Sequence, residues 1–160
     1  MTDLRVGFGY DVHKLAAGYP LIIGGVELAY HMGSVAHSDG DVLIHAICDA
    51  LLGAAHKRDI GYHFPDTDEK WRGADSKELL AAVHEILNNA GFQIVNMDST
   101  VALQKPKLAQ AIPLMEETLA QVLGLAHDRV SVKATTTEQL GFVGTGQGIA
   151  AYATVLIEKA

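Results

Sequence analysis

Apolar residues run densely through Val6-Gly7-Phe8-Gly9-Tyr10, and residues 4–13 read as a first, buried strand. Leu21 to Leu28 read as a second, with Gly24-Gly25 marking a bulge or a close approach. Residues 29–38 form a loop, after which Ser38 or Asp39 caps an apolar helix running to about Ala55. The stretch 57–73, KRDIGYHFPDTDEKWRG, is rich in Asp and Gly with little periodicity and predicts a long loop of the functional kind. Asp75-Ser76-Lys77-Glu78 opens the next helix, which ends near Gly91. A strand follows over 93–104. Pro106 and Pro113 then punctuate a helical region that closes at Gly124. Val130–Ala134 make a short strand, TTTEQLGFVGTGQG a capped helical turn and a glycine-rich loop, and Ile149–Lys159 the closing strand. Strands and helices interleave without repeat or linker, which predicts one α/β or α+β domain over residues 1–160.

Composition narrows the function. With 49% hydrophobic residues the 160-residue chain can fill a core. A net charge of −7 argues against a nucleic-acid surface, so an anionic ligand needs local neutralisation by metal ions, backbone amides and a few cations. The lone Cys48 excludes an intrachain disulfide and any multi-cysteine zinc site, and fits a reducing cytoplasm. No basic-then-apolar leader opens the chain, and no apolar run is long enough to span a bilayer. The expectation is a cytoplasmic protein without membrane contact.

Two polar features interrupt the apolar pattern. Asp11 and His13 lie two apart in a strand, so they project from one face with Val12 on the other. They could be a hydrogen-bonded pair or two arms of a metal site. In the apolar helix Asp41, His45 and Asp49 fall at i, i+4 and i+8 along one face. An Asp–His–Asp network that satisfies itself would account for them. Alternatively His45 is a third ligand beside Asp11 and His13, completing a site with one open position, and Asp49 holds its second ring nitrogen.

Other clusters are weaker. His37 and Ser38 precede the helix, where an anion or a plain N-cap would suit Ser38 equally. Asp59, Asp66 and Asp68 fit a solvated turn. Thr135 and Glu138 have capping-box spacing, which leaves Thr136 and Thr137 unexplained. GTGQG precedes a strand and is no dinucleotide fingerprint. His31, His56, His63, His84 and His127 show no ligand spacing.

Taken in order, GYDVH, IIGGV, AHSDGDVLIHAICDALLGAA, DIGYHFPDTD, GADSKELL, KPKL and VKATTTEQLGF closely resemble the 2-C-methyl-D-erythritol 2,4-cyclodiphosphate synthase family of non-mevalonate isoprenoid biosynthesis. The resemblance runs over nearly the whole chain. It implies a lyase that takes 4-diphosphocytidyl-2-C-methyl-D-erythritol 2-phosphate. In that reaction the 2-phosphate attacks the β-phosphorus, CMP leaves and a cyclic diphosphate forms. It implies a divalent ion, usually zinc, on Asp11, His13 and His45, and a magnesium or manganese ion on Glu138. His37 and Thr136 match positions that stabilise the transition state. Asp59, Ile60, Gly61, Phe64, Pro65, Asp66, Thr67 and Asp68 match the segment that holds the methylerythritol part. Leu103, Gln104, Lys105, Pro106, Lys107, Leu108 and Ala109, with Ala134 and Thr135, match the cytidine pocket, Lys107 near the diphosphate. Leu103 and Lys105 depart from the small residues common there. Ser38, Thr137, Phe142 and Thr145 complete the implied substrate-binding set.

The implied fold is a four-stranded mixed sheet covered on one side by helices, with a small hairpin. The implied assembly is a homotrimer with active sites between neighbours. Gly144-Thr145-Gly146-Gln147-Gly148 stands where many members carry an arginine and a glutamate in a segment lining an axial cavity, which implies weak binding of isoprenoid diphosphates there or none. Two rivals remain open: a zinc-dependent phosphohydrolase of a nucleotide diphosphate ester, and a non-catalytic nucleotide-binding module with a structural zinc. Structural zinc sites are closed by four protein ligands, and only three are found here.

Overall fold

The first strand does not stop at His13. β1 runs from Leu4 to Ala17 because two partners pair with it in succession. Leu4–Lys14 pair antiparallel with β7 (Gly148–Lys159), and Lys14–Ala17 with β4 (Met32–Val35). Residues 32–35, expected in a loop, thereby become an edge strand. The computed structural model describes residues 3–160. Its sheet has five strands rather than four, in the order β4-β1-β7-β5-β6, with β5 spanning Phe92–Ala102 and β6 Val130–Thr135. Only the β5–β6 pairing is parallel, so the sheet is mixed as expected.

Leu21 to Leu28 are not one strand. Gly24 and Gly25 take φ of 60° and 75°, the two positive angles of a tight hairpin turn, and split the segment into β2 (Leu21–Ile23) and β3 (Val26–Leu28). The apolar helix α1 (Val42–Ala54) begins later than predicted. Gly40 has φ 74°, and Asp41 rather than Ser38 or Asp39 is the cap. The long loop holds a short helix α2 (Ile60–His63) and a 3-10 turn, Glu69–Trp71, because Asp59 and Asp68 cap them through the amides of Tyr62 and Lys70. α3 (Ser76–Asn89) starts after Asp75 as predicted, and α4 (Ile112–Leu123) has Pro113 in its first turn and Gly124 left-handed at its end. The capped turn expected at Thr135–Glu138 is absent. β6 keeps Thr135 in register with Ala102, and Glu138 and Gln139 at positive φ reverse the chain into α5 (Gly141–Gly144).

α1, α3 and α4 pack on one face of the sheet. On β1 the odd positions face the helices. Gly7 and Gly9 lie directly beneath α1, where a Cβ would sit 1.9 Å from the Ala50 carbonyl oxygen and 1.8 Å from that of Ala46. The even positions, expected to be buried, form instead a bare apolar stripe: Leu4, Val6, Phe8, Tyr10 and Val12, with Val6 69% and Phe8 64% exposed.

Candidate active site

Strand alternation puts Asp11 and His13 on the helix side of β1, two and four residues beyond Gly9. The close approach over Gly7 and Gly9 brings His45 of α1 down to meet them. Asp11 Oδ2 lies 2.9 Å from His13 Nε2 and 3.2 Å from His45 Nδ1, and the two ring nitrogens are 3.3 Å apart. Ligands at about 2.0–2.2 Å around a tetrahedral ion are spaced by roughly 3.3–3.6 Å. The triangle is therefore close to one face of such a tetrahedron. Two imidazole nitrogens and a carboxylate oxygen suit a divalent cation, and the fourth direction is left to a ligand from outside. Burial raises the Asp11 carboxyl, but hydrogen bonds and charge from His13 and His45 outweigh it and bring it down to about 2. Burial lowers His45, which Asp11 above all reverses to a net rise.

The rest of the polar stripe serves the scaffold. Asp41 Oδ1 accepts from the amides of Gly24 (2.9 Å) and Ile44 (3.0 Å), and Oδ2 from Gly25 (2.6 Å). Its burial pushes its carboxyl up to about 6, against the pull of those three amides. Asp49 does not hold His45. It accepts from the Ile60 amide at 2.9 Å, because α2 packs against that turn of α1, and burial raises its pKa. His45 Nε2 instead lies 3.0 Å from Ser76 Oγ and 3.2 Å from Ser38 Oγ. Ser76 was legible only as a helix opening. Nothing in its sequence context marks a partner 31 residues away.

A cavity of about 370 Å³ opens over the triad. Asp11, His13, His37, Ser38 and His45 form one part of its lining, and Ile60, Gly61, Phe64, Pro65 and Asp66 another. Ala36 and Trp71 line it too, and the sequence did not single them out. His37 Nε2 is buried without a hydrogen-bond partner. An unmatched buried ring nitrogen is costly unless a ligand completes it. Asp59 and Asp68 are engaged as caps, and neither they nor Thr67 line this cavity.

A second cavity, about 180 Å³, is lined by Leu103, Pro106, Lys107, Leu108, Ala109, Ile112, Ala134, Thr135 and Thr136. It shares no residue with the first. The row Asp11–Ala151–Val101–Ala134 crosses the sheet through three strand pairings, so the two regions lie roughly 14 Å apart along the sheet. Gln104, Lys105 and Thr145 line a third hollow, and Phe142 a fourth, beside His13 and Gln147. Thr137 donates its hydroxyl to the Leu140 carbonyl at 2.7 Å, and Glu138 is exposed on the reversed loop. Within the chain, then, the triad comes together with Ile60, Gly61, Phe64, Pro65 and Asp66, while Asp59, Thr67 and Asp68 stay outside. Leu103, Pro106–Ala109 and Ala134–Thr136 gather in the second cavity, and Glu138 joins neither. Among the described residues no helix is long and apolar enough to cross a membrane.

The geometry has counterparts. The 2-C-methyl-D-erythritol 2,4-cyclodiphosphate synthase of Geobacter sulfurreducens is 56% identical over 156 residues, 98% of this chain and 99% of that protein. Among solved structures, the bifunctional IspDF of Campylobacter jejuni superposes with a TM-score of 0.96 at 42% identity; all of this chain is covered, and it spans 43% of that longer chain. The CDP complex of IspF from Plasmodium falciparum superposes with a TM-score of 0.86 at 30% identity over 99% of this chain and 98% of that one. Residues 4–158 match the YgbB family, and the chain belongs to it.

Proposed function

We propose that this protein is a 2-C-methyl-D-erythritol 2,4-cyclodiphosphate synthase, a phosphorus–oxygen lyase of isoprenoid precursor biosynthesis. The observation that carries the reading is the convergence of Asp11, His13 and His45 in a cavity that His37 also lines. The substrate, 4-diphosphocytidyl-2-C-methyl-D-erythritol 2-phosphate, brings its own anionic nucleophile. The protein has then to align two phosphates and neutralise charge.

Zinc is the ion best suited to two imidazoles and a carboxylate; when bound it supplies Lewis-acid polarisation of a phosphoryl oxygen. His37 donates to the phosphoryl oxygens as charge builds, with Ser38 beside it, and Thr136 does the same from the nucleotide side. Asp66 accepts from the erythritol hydroxyls at the cavity mouth, and Phe64 and Ile60 exclude water from the apolar side. Leu103, Pro106 and Leu108 bracket the cytosine, while Lys107 meets the diphosphate. Glu138, exposed, takes the magnesium or manganese ion that accompanies the diphosphate.

One copy holds the two halves apart on its own sheet. We therefore read the bare stripe of β1 as the contact face of a homotrimer, which sets the metal half of one subunit against the nucleotide half of the next. Cytoplasmic residence belongs to the same reading, with Cys48 buried and reduced. Hydrolysis by a metal-activated water is not favoured, since the relatives are named as synthases.

The test is product analysis. Incubation with substrate, zinc and magnesium should release CMP and a cyclic diphosphate, and His45→Ala should release neither while losing zinc. Linear hydrolysis products would overturn the reading.

A further inference from the structure

We propose that Ser76 and Asp39 form a positioning pair that holds the Nε2 proton of His45 while Nδ1 ligates the metal, and thereby sets the metal affinity of the triad. The proposal rests on Asp11, His13 and His45 being metal ligands.

His45 turns Nδ1 toward Asp11 Oδ2 (3.2 Å) and His13 Nε2 (3.3 Å). Ligation through Nδ1 needs a lone pair there, so the proton must sit on Nε2 and needs an acceptor. Two hydroxyls are within reach, Ser76 Oγ at 3.0 Å and Ser38 Oγ at 3.2 Å. They are not equivalent. Ser76 is fully buried, and its hydroxyl is hydrogen-bonded to Asp39 Oδ1. Asp39 Oδ2 accepts the Ser76 amide at 2.9 Å, and Oδ1 also accepts the Asp41 amide at 3.1 Å. A carboxylate only accepts, so the single hydroxyl proton of Ser76 points to Asp39. The lone pairs of Ser76 are left for the N–H of His45. The chain of bonds has one direction: His45 Nε2–H to Ser76 Oγ, Ser76 O–H to Asp39. Turned round, it would face a hydroxyl lone pair toward a carboxylate.

Ser38 has a different placement. It accepts the Gly40 amide at 3.3 Å and lines the cavity, so its proton is free to point toward a bound molecule. Ser76 lines neither cavity and touches no reacting atom. Its effect passes entirely through His45, which makes it a positioning residue. Because Ser76 opens α3, the metal ligand on α1 is referenced to a second helix as well as to the strand beneath it. Partners behind a ligating histidine typically change metal affinity by ten- to a hundredfold.

The first test needs no variant. Two-bond proton–nitrogen correlation spectra of the zinc-loaded full chain, labelled on histidine, should report Nδ1 on the metal and the proton on Nε2 for His45; Nε2 on the metal with the proton on Nδ1 overturns the proposal. The second is zinc affinity by competition with a chromophoric chelator. Ser76→Ala should weaken zinc by ten- to a hundredfold and move the His45 Nε2–H proton resonance of the zinc-loaded chain upfield as its acceptor is lost, with Asp39→Asn acting in the same direction. Ser38→Ala should leave that resonance in place. If Ser76→Ala does not fold, the wild-type spectrum and Asp39→Asn still decide. Zinc bound by wild type and both variants with equal affinity overturns the pair alone. A wild type that binds no zinc overturns the metal triad and the pair together.

Discussion

Adding a single methyl group at Gly9 should disable the metal site without touching a ligand. A Cβ there would lie 1.8 Å from the Ala46 carbonyl oxygen, 2.8 Å from the Ala46 carbonyl carbon and 2.8 Å from the Ala50 amide nitrogen. All three are backbone atoms of α1, so no side chain can swing aside. Restoring ordinary contact requires α1 to retreat by about 1.5 Å over that turn. His45 adjoins Ala46 on the same turn, and its Nδ1 stands only 3.2 Å from Asp11 Oδ2. Metal–ligand distances tolerate about 0.2 Å, so the retreat takes His45 out of the coordination sphere. Overpacking of this kind also costs about 1–3 kcal/mol, equivalent to a fall in Tm of roughly 3–10 °C for a chain of this size. The assays are chelator competition for zinc and a thermal melt of the metal-free protein. Gly9→Ala should lose about a hundredfold or more in zinc affinity, with Asp11, His13 and His45 all intact. Gly53→Ala is the control. Gly53 is on the exposed face of α1 with open space at its Cβ, so there alanine should stabilise by about 0.5–1 kcal/mol. Gly9→Ala binding zinc with wild-type affinity and unchanged Tm would refute the argument that the two glycines set the ligand spacing.

Three further outcomes are expected. Asp66→Ala, at an exposed cavity-lining position, should raise KM or lower kcat while Tm stays within about 1 °C; a large Tm loss with normal kinetics would make it a structural residue. Asp11 has its carboxyl lowered from 3.8 to about 2 in the fold, so it contributes about 2 kcal/mol to the metal-free protein above pH ~4, lost as pH falls through ~2. Urea unfolding across that range should show the slope, and Asp11→Asn should flatten it; identical pH slopes would contradict the assignment. Phe8→Asp puts a charge in the middle of the bare β1 stripe and should yield a folded monomer with little activity by analytical ultracentrifugation and CMP assay; a persisting trimer would remove this stripe from the interface.

What the sequence disclosed depended on how local the cause was. Asp11 and His13 were legible as a same-face pair because strand alternation is a two-residue rule. Asp75 and Gly124 were legible as helix ends because capping is local too. Asp49 was misjudged. Helical spacing put it on the face of His45, but α2 took its carboxylate, and α2 was hidden in a segment without periodicity. The fifth strand was missed because Met32–Val35 has no strand pattern of its own; it is a strand only because β1 runs on to Ala17 beside it. Thr135 and Glu138 had capping-box spacing, yet pairing with Ala102 kept Thr135 in the sheet. The polarity of β1 was also reversed in one respect. Its apolar even positions read as core and are exposed, because the helices cover the face lined by Gly7 and Gly9.

Asp41 has a consequence for how the molecule loosens. The β2–β3 hairpin has only three residues in each strand, too few to hold itself together. Its turn amides, Gly24 and Gly25, are bound by the carboxylate that also caps α1. Releasing the turn leaves the buried cap carboxylate with only the Ile44 amide, and fraying the helix start frees the turn. Two elements that look independent on the sheet diagram therefore belong to one cooperative opening unit. The hairpin amides inherit the protection of the most deeply buried helix in the molecule, and hydrogen exchange there is governed by the opening of α1 and not by the mobility of a surface ribbon.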